Sequence, residues 1–208
     1  VLHYTATNLP AGLTIDPNTG NITGTLGAGA SQGGPYSIVV TATDGSGASV
    51  TQTFQLTVTN PAPTAVADTL AVSENLSAGG NVVTGVGIGG DRADSDPDGD
   101  TLTVTRIGTG TSTPATAVTA AGTSVVGAHG TLVIHTDGSY TYTPGAAAQA
   151  LNTGTTVQDV FSYRASDGAL TSTATLTINV TGANDAAQIN GPLAGSVKED
   201  TAGQLVAS

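Results

Sequence analysis

Asp94, Asp96, Asp98 and Asp100 fall within seven residues, DSDPDGD, together with one proline and one glycine. Carboxylates alternating along a tight loop can converge on a hard cation, and calcium, which takes about six to eight oxygens, suits them. Magnesium prefers to keep its water, and zinc asks for His or Cys. Asp94, Asp96, Asp98 and Gly99 also fit the first half of an EF-hand loop, D-x-[DN]-x-[DN]-G. The position where that loop needs its bidentate glutamate is Thr105, and no flanking helices are expected, so an EF-hand is excluded. Calcium is not. The competing reading is a solvated acidic turn, which Asp-Pro and Asp-Gly pairs suit equally well.

If the loop holds an ion, the remaining oxygens must come from other loops at the same end of a sheet structure. Asp167, in an Ala-Ser-Asp-Gly turn, is the first candidate, and the linker from Asn60 to Asp68 is the second. Glu74 and the Asn184–Asp185 pair fall at the opposite end of the same unit. Asp44 is the counterpart of Asp167 in a preceding unit that has no acidic loop, so a site there is incomplete.

Repetition shows what positions these residues. YSIVVTATDGSGASVTQTFQLTVT (36–59) parallels DVFSYRASDGALTSTATLTINVT (159–181). Each reads as a strand, an Ala-x-Asp-Gly turn and a second, alternating strand. Phe54, Leu56 and Val58 in one copy, and Leu176, Ile178 and Val180 in the other, mark a buried face opposite a wet one. GLTIDPNTGNITG (12–24) parallels GTLVIHTDGSYTYTP (130–144), and NPAPTAVADTLAVSEN (60–75) parallels the segment from Asn184 to Asp200. The organisation expected is therefore most of one module over 1–60, a complete module over 61–182, and the first strand of a following repeat over 183–208. The chain reads as a segment of a longer polypeptide, whose terminal strand could fill an open sheet edge in a neighbouring molecule. In the complete module strands are predicted near 66–72, 82–88, 101–107, 115–120, 131–135, 139–143, 157–165 and 171–181, with a helical turn or two at Ala146–Asn152. Short strands punctuated by Gly, Asp, Asn and Pro imply an all-β fold, two-layered with Greek-key connections.

Composition narrows the function. The 208 residues include 29 glycines, five tyrosines, two phenylalanines and no cysteine, which removes disulfides and thiol chemistry. Fifteen acidic residues against four basic ones, a formal charge of -11, argue against nucleic acid and anionic membranes. No run is long enough to insert as a membrane helix. An unscreened crowd of carboxylates also favours a neutralising cation. His3, His129 and His135 lack metal spacing, and no nucleophile elbow or phosphate loop occurs, so no enzyme is expected. Tyr140 and Tyr142 share one face of SYTYT and could form a sugar platform, although a chain this poor in aromatics also needs them inside.

LPAGLTIDPNTGNITGT (9–25) resembles the putative-Ig repeats of large bacterial surface proteins. DSDPDGDTLTV, GTLVIHTDGSYTYTP and DVFSYRASDGALTSTATLTINVTGAND together resemble the VCBS-type, cadherin-like repeat of giant Vibrio, Colwellia, Bradyrhizobium and Shewanella proteins. The resemblance implies tandem Ig-like and cadherin-like β-sandwiches, found in calcium-dependent RTX adhesins at the cell surface or in the extracellular medium. It implies calcium (Ca2+) as cofactor at module ends, held by Glu74, Asp94, Asp96, Asp98, Asp100, Asp167, Asn184 and Asp185. The first linker departs from the pattern, with Pro61 where the second has Asp185. The function so implied is a calcium-stiffened extender of a secreted bacterial adhesin. Its partners would be neighbouring repeats of the same chain, and extracellular glycans or host and biofilm surfaces. The alternative is a carbohydrate- or surface-binding module that touches glycans directly.

Overall fold

The computed structural model describes residues 1–87 and 90–184. Asp185 and the strand expected in 183–208 beyond Asn184 lie outside the described residues.

Residues 1–60 form a three-stranded antiparallel sheet and a small hairpin. The sheet has the order β1 (His3–Thr7), β4 (Tyr36–Thr43), β5 (Ser49–Leu56), and the hairpin is β2 (Leu13–Ile15) with β3 (Ile22–Gly24). Asp16 closes that hairpin by accepting from the backbone of Asn18 and Thr19 at 2.8 and 3.1 Å. The expected buried face of the last strand is seen in part: Leu56 and Val58 are half-buried between exposed Gln55, Thr57 and Thr59, while Phe54 is 41% exposed.

Residues 61–182 make a two-layer sandwich of two five-stranded sheets. One has the order β10 (Thr116–Ala117), β9 (Thr103–Thr109), β14 (Thr156–Ser166), β15 (Thr171–Thr181), β6 (Asp68–Ser73). The other has the order β11 (Thr123–Val126), β12 (Gly130–Ile134), β13 (Ser139–Pro144), β7 (Ala78–Asn81), β8 (Val86–Gly87). The chain crosses between layers after β6, β8, β10 and β13, so β13 returns beside β7 and β14 beside β9. These are Greek-key connections. Among the described residues all pairings are antiparallel except β15 with β6, which run side by side from Leu176↔Asp68 to Thr181↔Ser73. The fold is all-β, as the sequence predicts.

Alternation explains the core. Leu132 and Ile134, Leu70 and Val72, and Leu176, Ile178 and Val180 point inward from their strands and are almost wholly buried. Each such side chain contributes about 1.5–3 kcal/mol of apolar burial. His135 falls on the other face of its strand, where its Nδ1 lies 3.2 Å from the Ala120 carbonyl. Tyr140 and Tyr142 also point inward, 4% and 0% exposed. A sugar platform on them is therefore excluded. Tyr142 meets Phe161 edge-on, with centroids 6.3 Å apart, and its hydroxyl donates to Asp159 at 2.7 Å.

Two expectations shift at their edges. The strand predicted over 82–88 is only the short β8 near its end; β7 lies before it, and between the two is a turn in which Asn81 accepts from Val83 and Thr84. The segment Ala146–Asn152 makes a hydrogen-bonded turn on Gly145 without continuing into a helix.

Candidate metal centre at the end of the second unit

Three loops and a linker meet at one end of the sandwich. The acidic loop leads into β9, the Asp167 turn joins β14 to β15, and the linker around Asn60 enters from the first unit. The loop before β4, with Ser31 and Gln32, approaches from the same side.

The acidic loop is folded by its own carboxylates. Asp96 Oδ1 accepts from the backbone of Asp98 at 3.1 Å and of Asp100 at 3.2 Å. Gly99 sits at φ 80°, a left-handed position that suits glycine, and allows the reversal. A two-bond bridge pins the loop to the linker: Thr64 N donates to Ser95 O at 2.8 Å, and Ser95 N to Thr64 O at 3.0 Å. The other oxygen of Asp96, Oδ2, is buried and has no hydrogen-bond partner. Asp98 is exposed, and its hydrogen bond to Asp96 comes first in pushing it up to about 6. The same bond holds Asp96 below the usual carboxylate range. Two carboxylates this close repel one another, and a cation would relieve them.

Asp100 and Asp167 are both mostly buried, at 9% and 4% exposure. Asp167 Oδ1 accepts from the backbone of Ala169 and Leu170 at 2.7 and 2.6 Å, and Oδ2 accepts from Asn60 Nδ2 at 2.8 Å. Burial opposes its ionisation, but these hydrogen bonds outweigh it and keep the carboxyl low. The negative charge of Asp167 is felt at Asp96. Gln32 Nε2 donates to Asp100 Oδ2 at 3.1 Å and to the Asp167 carbonyl at 3.2 Å.

The structure thus brings Asp96, Asp98, Asp100 and Asp167 to the end that faces Asn60. Asp94 is turned the other way. Its carboxylate accepts from Val66 N at 2.7 Å and lies 3.0 Å from the Tyr163 hydroxyl, inside the sandwich. Burial pushes it up to about 6. Glu74 stands at the opposite end, where β6 finishes beside β15: its backbone donates to Thr181 O, and Oε1 accepts from Ala183 N at 2.6 Å. Glu74 is 1% exposed, and its Oε2 has no partner. Asn184 follows two residues after Gly182 and is exposed. Asp44 folds its own exposed turn by accepting from Ser46 and Ala48.

Among the described residues, no three acidic or imidazole side chains form a closed ligand set. The donors nonetheless fit a hard cation. They are carboxylate oxygens, and one of them, Asp96 Oδ2, is buried and unpartnered; at the opposite end Glu74 Oε2 is too.

Sequence reading missed Gln32 and Ser31, which carry no motif. It also missed Asp68 and Asp91 as members of a buried cluster: Tyr163 Oη lies 3.1 Å from Asp68 Oδ2, and Tyr140 Oη lies 2.9 Å from both Asp91 oxygens.

The family model described as bacterial cadherin-like domain matches residues 60–182, and that described as putative Ig domain matches residues 1–59. No curated protein matches the chain. Among solved structures, the endo-fucoidan hydrolase MfFcnA4 of glycoside hydrolase family 107 is 21% identical, with a TM-score of 0.33, over 86% of this chain and 23% of that one. Drosophila N-cadherin EC1-3 is 14% identical, with a TM-score of 0.35, over 87% of this chain and 55% of that one. The human Desmocollin-1 ectodomain is 19% identical, with a TM-score of 0.31, over 86% of this chain and 33% of that one. The chain thus spans about a quarter to about half of these structures' lengths. With more than half its residues matched, the chain belongs to the bacterial cadherin-like domain family.

Proposed function

We propose that this chain is a calcium-stiffened, non-enzymatic extender segment of a secreted or cell-surface bacterial adhesin. One observation carries the reading: Asp96, Asp98, Asp100 and Asp167 gather at the module end facing Asn60, with Asp96 Oδ2 buried and unpartnered. Calcium there would supply the positive charge that a chain of net charge -11 lacks. Asp96, Asp98, Asp100 and Asp167, with the linker Asn60, would hold it. Glu74 and Asn184, with Asp185 beyond the described residues, would do the same at the far end. Such an ion selects the folded state, because the unfolded chain holds no site, and it fixes one module against the next. The rod so formed would project a binding region located elsewhere in the parent protein towards a glycan or a biofilm surface.

Thermal unfolding in calcium and in excess chelator tests the reading. At a free calcium concentration about 100-fold above Kd the stabilisation is ~2.7 kcal/mol. For a unit of this size that raises Tm by roughly 10 °C. Identical melts in calcium and chelator would refute it. Asp96→Asn should lose most of the difference while keeping the chelator melt, because its Oδ1 still accepts from Asp98 and Asp100.

A further inference from the structure

The contact between the two units contains a feature that needs no ion. Gln32 Nε2 has two hydrogens, and the geometry gives each one an acceptor: Asp100 Oδ2 at 3.1 Å and the Asp167 carbonyl at 3.2 Å. Asn60 Nδ2 donates to Asp167 Oδ2 at 2.8 Å, and Ser31 Oγ donates to Asn60 Oδ1 at 2.7 Å. The orientation of Asn60 follows from its neighbours. Turning the amide over would set its oxygen against Asp167 Oδ2, two acceptors with no hydrogen between them. Both acceptor carboxylates belong to the second unit and are largely buried, while Ser31 and Gln32 belong to the first. Hydrogen bonds from amides to carboxylates are among the stronger kind, and here they occupy Asp100 Oδ2 and Asp167 Oδ2.

We propose that Gln32 and Asn60, braced by Ser31, form a metal-independent clasp that closes the junction between the two units. The clasp stands apart from the calcium reading, since it acts when no ion is present. It also defines what the acidic end of this module accepts from the unit before it: side-chain NH2 groups placed to meet Asp100 and Asp167. An ion would then enter a junction already assembled, at a lower ordering cost than one that must first be closed.

Distance measurements between two spin labels test this directly. The chain has no native cysteine, so Thr51→Cys on the exposed face of β5 and Ala121→Cys on the second unit give one label on each side. In excess chelator, the clasp requires a single narrow distance distribution. Gln32→Ala with Asn60→Ala should broaden it by about twofold, because units without a large or specific interface move freely. Hydrogen exchange across β4 and β5 is read alongside. Broadening with that exchange unchanged supports the clasp, and broadening with faster exchange counts against it, as unfolding of the first unit. A wild-type distribution already broad in chelator overturns the clasp. If calcium then narrows it, the calcium reading survives alone. A double variant as narrow as wild type in chelator overturns the clasp as well.

Discussion

Tyr163 has one hydroxyl hydrogen and four close oxygens: Val66 O at 3.0 Å, Asp68 Oδ2 at 3.1 Å, and Asp94 Oδ1 and Oδ2 at 3.0 and 3.1 Å. A phenol can donate to one of them at a time, so the two carboxylates crowd one another around it. Asp68 shows the result. Burial first, then the charges of Asp91 and Asp94, push it up to about 7, against the pull of the Arg92 backbone and Tyr163 hydrogen bonds. Its ordinary value is 3.8, so between these limits the folded chain keeps a proton that the unfolded chain has released. The stabilisation is complete below about pH 3.8 and is lost as the pH rises towards 7. Asp68→Asn keeps an oxygen for Arg92 N and removes the titration. Its urea midpoint should fall less than wild type between pH 4 and pH 8, and an identical slope in both proteins would rule out Asp68 as the source. The residue scale is also where the sequence was least legible. Alternating aspartates show that a loop is acidic, but not that Asp94 turns inward to Tyr163 while Asp96 faces the junction. That choice is made by Val66 N and Tyr163, which only the folded chain brings near.

Among the elements, β6, β12, β13, β14 and β15 were readable because β-branched and aromatic residues alternate along them. Alternation fixes which residues share a face and leaves open which face is inside, so Tyr140 and Tyr142 could be paired but not buried from sequence. β7 was missed because AGGN has no β-forming side chain. Its glycines are there for space. A Cβ on Gly80 would sit 2.1 Å from Asp91 Oδ2 and 2.8 Å from the Val86 carbonyl. Gly80→Ala should therefore cost about 1–3 kcal/mol, as overpacking does. Leu176→Ala, in the fully buried row of β15, should cost about 2–5 kcal/mol. Denaturant unfolding of both variants checks the two figures, and a Gly80→Ala protein as stable as wild type would show that Asp91 can move aside. The Gln32 loop was illegible for another reason. Its partners are 68 and 135 residues away, and no local pattern marks an amide as a donor to them.

For the whole molecule, the consequence lies in the parallel pairing of β6 with β15. The linker enters the second unit at the start of β6, and the chain leaves it at the end of β15. These strands lie side by side and point the same way from Asp68↔Leu176 to Ser73↔Thr181. A pull on the two ends of the unit drags β6 and β15 past each other along their length, so every hydrogen bond of the ladder is loaded at once. A pull across the β12–β13 hairpin would open its bonds one after another, as a zipper does. Single-molecule stretching should therefore need a clearly higher force end to end than across residues 131 and 143. Equal forces would mean that the load is borne elsewhere. A tether under flow is only as strong as its first strand to slip, and here that strand is fastened lengthwise to the last.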